Sequence, residues 1–304
     1  MMKIGLLSAI LPDSSFEEVI DIAKDNNYQA VELACWPKGK SNRRYAGVTH
    51  IDVDTLSKEK INYILNYVKS RNIEIAALGY YPNPLDQDEE KRLFYLEHIK
   101  KVITAASLLK VNRVSTFIGR NQFLNEDENF ELFKKYWPEV IRYAEEKEVY
   151  VGIENCPMYF TKDEWPGGQN LASSPYMWRK IFSEIPSKYF GLSYDPSHLF
   201  LQRMDYLKPI KEFKDKIFHI HFKDILLFPD KIDEYGVFTY PLRYMQPKIP
   251  GEGGIDWKAF VNELKAINYQ NYACVEIEDK DYEDSFDSVK KAIKNSYKNV
   301  IKFL

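Results

Sequence analysis

Two histidines stand two residues apart in a segment that is otherwise made of large apolar residues, I-F-H-I-H-F at 217–222. Side chains alternate between the two faces of a β-strand, so His219 and His221 share one face and the apolar residues share the other. Imidazole is a metal ligand and a proton-transfer group at neutral pH. The segment therefore predicts a buried strand that presents two imidazoles to an enclosed site.

Three further apolar segments end on an acid: Y-V-G-I-E on Glu154, F-G-L-S-Y-D on Asp195 and Y-A-C-V-E on Glu276. Carboxylates that converged at a few Å in a partly dry site would repel one another strongly unless a cation neutralised them. An oxygen-rich ligand set with one imidazole and no thiolate predicts one divalent ion, Mn²⁺ first, with Mg²⁺, Co²⁺ and Zn²⁺ also compatible. The alternative for each acid taken alone is a helix cap or a lysine partner.

The segments that must position these residues alternate along the chain. Short segments rich in branched residues predict strands, at Lys3–Leu7, Gln29–Leu33, Glu74–Gly79, Asn112–Phe117, Tyr150–Glu154, Phe190–Asp195, Ile217–Phe222 and Tyr272–Glu276. Amphipathic segments between them predict helices, at Phe16–Asn26, Lys58–Ser70, Glu89–Leu109, Phe130–Glu146, Met177–Ile185, Trp257–Asn268 and after Ser285. Ser15 and Asp256 stand where side-chain oxygens cap helix starts.

Repeated strand–helix units predict parallel strands, and eight of them predict the α/β class and one (β/α)8 TIM barrel domain over residues 1–304. Long loops are expected at about 157–175 and 223–254, over the barrel mouth. Catalytic groups of such barrels lie at the C-terminal ends of the strands. The fifth to eighth strands therefore offer Glu, Asp, His and Glu to one mouth.

Composition narrows the class of protein. The 304 residues are 45% hydrophobic, which is enough for a large core, and the net charge of -3 without a run of like charges gives no support to a nucleic-acid partner. Three cysteines without a C-x-x-C pair predict neither disulfides nor a structural zinc site, and we expect a cytoplasmic location. No stretch approaches the length of apolar residues that spans a membrane.

Five motifs carry a resemblance to a known family: V-G-I-E-N at 151–155, Y-D-P-S-H at 194–198, H-I-H-F-K-D at 219–224, P-G-E-G-G-I-D-W at 250–257 and V-E-I-E-D at 275–279. Together they resemble the sugar phosphate isomerase/epimerase family of xylose isomerase-like TIM barrels. The resemblance implies that Glu154, Asp195, His221 and Glu276 bind the metal. His221, directly before Phe-Lys-Asp, matches the ligand better than His219 does, and His198 matches a substrate-contacting or ligand-supporting residue.

The resemblance implies a metal-dependent isomerase or epimerase of a sugar or related polyol. A proton next to a carbonyl would be abstracted and an enediolate formed, with Glu154 and Glu276 as the catalytic pair. The alternative is a lyase or dehydratase that completes a β-elimination on a keto-sugar, keto-glycoside or inosose. Two departures keep this alternative open, because Phe160 and Leu227 stand where epimerases of free ketoses carry Glu and Arg.

Substrate contacts are predicted for a second group of residues: Glu32, Trp36, Trp165, Lys223, His198 and His219. The alternatives are a pair between Glu32 and Arg43 or Arg44, a salt bridge from Lys223 to an acid of the mouth, and burial or a subunit contact for the tryptophans. The expected partner is a small carbohydrate or cyclitol, with a homo-oligomer also compatible. A non-enzymatic sugar-binding module does not explain two glutamates in one mouth, and a DNA-repair nuclease of this fold would need additional histidine ligands.

Overall fold

Eight parallel strands close into a barrel in the computed structural model, which describes residues 2–39, 45–158, 168–239 and 241–304. Around the barrel the order is β1, β10, β7, β6, β5, β4, β3 and β2. The strands are β1 (Lys3–Leu7), β2 (Ala30–Ala34), β3 (Glu74–Gly79), β4 (Arg113–Thr116), β5 (Tyr150–Glu154), β6 (Phe190–Tyr194), β7 (Ile217–Phe222), β8 (Asp224–Leu227), β9 (Met245–Lys248) and β10 (Tyr272–Val275). The predicted (β/α)8 barrel is confirmed.

Helices surround the barrel; seven of them match predicted segments, and three short ones, at Pro196–Leu201, Lys208–Glu212 and Pro229–Tyr235, were not predicted. In chain order the helices are α1 (Phe16–Asp25), α2 (Lys58–Arg71), α3 (Glu89–Leu108), α4 (Glu126–Glu146), α5 (Pro175–Glu184), α6 (Pro196–Leu201), α7 (Lys208–Glu212), α8 (Pro229–Tyr235), α9 (Trp257–Ala266) and α10 (Phe286–Val300). Ser15 caps α1, and Asp256 caps α9 by accepting the Ala259 N–H at 2.9 Å. Helix α4 begins four residues before the predicted Phe130, because Asn125 and Glu128 form a reciprocal capping box there.

The main core lies between the outward faces of the strands and the helices. Trp137 of α4 stacks on Phe190 of β6 with ring centroids 6.0 Å apart, and Trp178 of α5 meets Tyr194 edge to face at 5.9 Å. Inside the barrel, the hydroxyls of Ser115 and Ser193 share a hydrogen bond of 2.6 Å. Small and polar side chains inside the barrel leave room for the charged groups above them.

The segment after β7, predicted as a long loop at about 223–254, contains the strands β8 and β9 and the helix α8. Strands β8 and β9 pair antiparallel, α8 lies between them, and buried Leu201 of α6 packs against this hairpin together with Ile225 and Tyr244. Lys223, at the start of this segment, lines the barrel mouth. Residues 159–167 of the other long loop, predicted at about 157–175, lie outside the described residues.

Asp224 holds the base of the segment after β7. Its carboxylate accepts the backbone N–H groups of Gly251 at 2.9 Å and Ile255 at 3.1 Å, and the indole N–H of Trp257 at 2.7 Å. A Cβ on Gly253 would lie 2.1 Å from Asp224 Oδ1, so only glycine fits at that position. The glycine-rich stretch therefore forms a turn whose backbone N–H groups are bound by the buried carboxylate of Asp224.

None of the helices in the described ranges is long and apolar enough to cross a membrane. Cys35, Cys156 and Cys274 are all buried and free of disulfides.

Candidate metal centre and active site

The four predicted metal ligands meet at the C-terminal mouth of the barrel. Glu154 ends β5, Asp195 directly follows β6, His221 lies in β7 and Glu276 directly follows β10. One ligand atom from each side chain lies within 4.8 Å of the others, and all four side chains are buried. The alternation of side chains along neighbouring parallel strands thus brings together the residues that it predicts.

Three buried atoms of this cluster, Asp195 Oδ2, His221 Nδ1 and Glu276 Oε2, make no hydrogen bond of good geometry with the residues that the structure describes, although His221 Nδ1 lies 3.4 Å from Glu276 Oε2. Leaving buried polar atoms unpaired is costly, so such atoms call for a missing partner. Two ligand atoms on opposite sides of a divalent first-row transition-metal ion, each about 2.0–2.3 Å from the ion, would lie about 4–4.6 Å apart. The cluster therefore fits a divalent cation with oxygen and nitrogen ligands.

Asn155 ties the ends of β5 and β6 together. Its side-chain amide donates to the Asp195 carbonyl at 2.9 Å, and the Asp195 N–H donates to Asn155 Oδ1 at 2.9 Å. Asp195 Oδ1 accepts the Ser197 N–H at 2.8 Å at the start of α6, which leaves Oδ2 for the cluster. Asn155 was not among the predicted site residues, although it directly follows Glu154 in V-G-I-E-N.

His198 bridges two of the carboxylates from α6. Its Nε2 lies 3.0 Å from Glu154 Oε1 and 3.1 Å from Asp195 Oδ2. The spacing D-P-S-H places His198 one helical turn after Asp195, beside the two acids. The structure thus puts this imidazole next to the candidate ligands and behind the cavity wall.

Glu32 lies on the other side of His221. Its Oε2 is 2.8 Å from His219 Nε2 and 2.9 Å from His221 Nε2, and its Oε1 accepts the hydroxyl of Tyr81. The two histidines of the opening motif therefore converge on one buried carboxylate. Arg43 and Arg44, the partners weighed for Glu32, lie outside the described residues, and Tyr81 was not predicted to take part.

Lys223 forms salt bridges with acids of the barrel mouth. Such a salt bridge was the predicted alternative to a substrate contact. Its Nζ lies 2.8 Å from Glu278 Oε2, 3.2 Å from Glu276 Oε1 and 3.9 Å from Asp195 Oδ2. Glu278 was missed, although V-E-I-E-D repeats an acid two residues after Glu276, on the same strand face. The ammonium compensates part of the negative charge of the mouth.

The surroundings push the pKa values of the two glutamates in opposite directions. Burial disfavours the charged form of Glu154, but His198 and His221 outweigh it and hold the pKa of that carboxyl well below its usual range. Burial raises the pKa of Glu276 to about 7, with Lys223 opposing the shift and Glu154 adding to it. Two acids with separated pKa values are a feature of sites that move protons.

A cavity opens above the cluster at the barrel mouth. Its charged wall contains Glu32, Glu154, Lys223, Glu276 and Glu278, and its apolar wall includes Leu7, Ala34, Trp36, Tyr45 and Phe117. Trp36 thus lies where a substrate contact was predicted. Trp165 lies outside the described residues.

The model of the xylose isomerase-like TIM barrel family matches residues 20–299. The chain belongs to this family. Inosose dehydratase from Lactiplantibacillus plantarum is 24% identical over 267 residues, with 86% of this chain and 85% of that relative covered.

Solved structures of similar fold include the IolI protein with a bound zinc atom, at a TM-score of 0.72 and 18% identity, with 100% of this chain and 99% of that chain covered. D-psicose 3-epimerase from Clostridium cellulolyticum, solved with D-tagatose, has a TM-score of 0.72 at 13% identity and the same coverage. The proteins that are similar to this chain thus include enzymes named as epimerases and enzymes named as dehydratases.

Proposed function

We propose that this protein is a divalent-metal-dependent isomerase or epimerase of a sugar or related polyol. One observation carries the proposal: the carboxylates of Glu154 and Glu276 reach the same compact cluster as Asp195 and His221, at the floor of an open cavity. Those four side chains would hold the metal. The oxygen-rich set favours Mn²⁺, and the zinc atom in the IolI protein supports Zn²⁺ as a second ion for this family.

The chain's own residues would move the proton. When bound, a divalent ion supplies Lewis acidity to neighbouring carbonyl and hydroxyl oxygens of the substrate. One of Glu154 and Glu276 would remove the proton from the carbon next to the carbonyl, giving an enediolate, and the other would return a proton. The two glutamates exchange these roles when the reaction runs in the opposite direction.

The cavity suits a carbohydrate or cyclitol. Trp36 and Phe117 offer apolar surface to the C–H face of a ring, while the acids and Lys223 face its hydroxyl groups. The D-tagatose in the structure of D-psicose 3-epimerase supports a substrate of this class. Leu227 replaces the Arg of free-ketose epimerases, so we do not extend their hydroxyl contacts to this chain.

A β-elimination is the second candidate, and Lys223 favours it. Its ammonium lies in the cavity wall, 3.2 Å from Glu276, and the neighbouring acids raise the pKa of Lys223 well above its usual range against the effect of burial. A charged donor there would stabilise a departing hydroxide or alkoxide after the proton is removed. The relative named inosose dehydratase supports this outcome.

Heavy water distinguishes the two outcomes. The metal-loaded protein would be incubated in D₂O with ketoses, inososes and 3-keto-glycosides, and the products followed by NMR and mass spectrometry. Epimerisation or isomerisation by proton transfer should give an isomer with deuterium at the reacting carbon. Elimination should lose water or an alcohol and leave an unsaturated ketone. Turnover with neither deuterium uptake nor elimination would contradict proton transfer and indicate a hydride shift.

Glu154→Gln and Glu276→Gln should each lower the exchange rate by at least about 100-fold, because each removes a proton-transfer group and a ligand. Glu252→Gln is the matched control, since Glu252 is exposed and outside the cluster.

Metal analysis of alanine variants at Glu154, Asp195, His221 and Glu276 tests the ligand set. Full metal content in any one of them would remove that residue from the set.

A further inference from the structure

We propose that Glu32 is a positioning residue that decides which nitrogen of His221 binds the metal. The Nε2–H of His221 would donate to Glu32, and Nδ1 would be the metal ligand. This inference rests on the metal centre of the proposed function. It gives Glu32, which also lines the cavity, a role in holding His221 in addition to the substrate contact expected from the sequence.

The two nitrogens of His221 face different groups. Nε2 lies 2.9 Å from Glu32 Oε2, whereas Nδ1 lies 3.4 Å from Glu276 Oε2. A neutral imidazole has one N–H and one lone pair, and an ionised carboxylate only accepts hydrogen bonds. When His221 is neutral, Glu32 therefore holds its remaining proton on Nε2, and the lone pair of Nδ1 is directed at the cluster.

Strand β2 runs regularly past β1 and places Glu32 opposite Leu7. The pairing of β2 with β3 shifts register beside Glu32, because Ala76 is an extra residue on β3, and Glu32 therefore lies opposite Ala77. A Cβ on Gly79 of β3 would lie 2.5 Å from Glu32 Oε1. Gly79 thus leaves the space that the carboxylate fills.

Both oxygens of Glu32 are engaged, since Tyr81 donates to Oε1 and His221 contacts Oε2. The side chain of Glu32 is 1% exposed, so this hydrogen bonding fixes its orientation inside the barrel. Ligating histidines generally need such a partner, whose loss typically lowers metal affinity about 10- to 100-fold.

His219 provides a matched control. Its Nε2 lies 2.8 Å from the same oxygen of Glu32, but the residue is not part of the four-residue cluster. Glu32, His219 and His221 also have the composition of a second cation site. A cation there would compete with the proton on His221 Nε2, so the stoichiometry of binding separates the two arrangements.

The experiment uses the full chain, labelled with ¹⁵N-histidine and loaded with Zn²⁺. Long-range ¹H–¹⁵N spectra should show His221 protonated at Nε2 and metal-bound at Nδ1, with one Zn²⁺ per chain. Calorimetric titration should show that Glu32→Gln weakens Zn²⁺ binding by about 10- to 100-fold while the fold persists. His219→Gln should change the affinity much less.

Binding of Zn²⁺ through Nε2, a second Zn²⁺ that is lost in His219→Gln, or wild-type affinity in a folded Glu32→Gln variant would each overturn the assignment of Glu32 and leave the proposed function standing. A wild-type protein that binds no divalent ion would overturn the metal centre itself. The spectrum of the wild-type protein decides the matter even where Glu32→Gln does not fold.

Discussion

Two candidate ligands hold protons that a metal ion must displace. Burial opposes protonation of His221, but Glu32 and Glu154 outweigh it and raise the pKa of His221 well above its usual range. Burial raises the pKa of Glu276 to about 7. Metal ligands bind in their deprotonated forms, so each bound proton lowers the apparent affinity.

We therefore expect divalent-ion affinity to rise with pH. Below pH 7 Glu276 carries a proton in the metal-free protein, so binding there releases protons from both Glu276 and His221. Above pH 7 Glu276 is ionised before binding, and His221 accounts for the release. Titration calorimetry with Zn²⁺ at pH 6 and pH 8, in buffers of different ionisation enthalpy, measures the number of protons.

The comparison variant for this measurement is Glu276→Gln. It should bind Zn²⁺ more weakly. Its proton release should also be the same at pH 6 and pH 8, because Glu276 contributes the proton that the wild-type protein releases at pH 6 and not at pH 8. Proton release that is equal at the two pH values in the wild-type protein would contradict the raised pKa of Glu276.

The residue types and their alternation along the strands predicted where Glu154, Asp195, His221 and Glu276 would lie, because parallel strands bring their C-terminal ends to one mouth. They did not predict that Glu32 contacts His221 or that Lys223 pairs with Glu278. Such partners depend on the register between strands, and the shift at Val31 and Glu32 has no signature in the residues themselves.

Among the elements, the segment after β7 depends on the contacts of Asp224. We expect Gly253→Ala to destabilise the protein by about 1–3 kcal/mol, because the added Cβ would lie 2.1 Å from Asp224 Oδ1. Urea unfolding monitored by circular dichroism measures the change.

Gly39→Ala is the control for this substitution. Among the described residues a Cβ at Gly39 has no neighbour within 4 Å, so its effect should stay within about 0.5 kcal/mol. Equal stabilities of the two variants would show that close packing of Gly253 against Asp224 contributes nothing to the free energy of unfolding.

The eight barrel strands lie within one residue of their predicted bounds, because each combines branched apolar residues with flanking turn residues. Strand β9 was missed for a physical reason: M-Q-P-K is half-exposed, contains a proline and pairs only with β8. Short ribbons of this kind form through their partner strand and not through their own propensity. Helix α8 was missed with it, inside the same predicted loop.

The apolar core between the strands and the helices is separate from the four candidate metal ligands. We expect the chelated protein to stay folded and to unfold cooperatively. An ion at 100 times its Kd should add about 2.7 kcal/mol to the free energy of unfolding, which raises Tm by about 4 °C for a chain of 304 residues. Differential scanning calorimetry with Mn²⁺, Zn²⁺ and EDTA tests this. Loss of the cooperative transition on chelation would show that the metal is structural.

Lys223 gives that expectation a physical basis. Its ammonium is tethered to the barrel within 4 Å of Asp195, Glu276 and Glu278, so the carboxylates of the mouth have a counter-ion of their own. A divalent ion bound by Glu276 and Asp195 would leave the ammonium paired with Glu278. Positive charge would then lie beside these carboxylates with and without the ion, so the same fold would suit both forms.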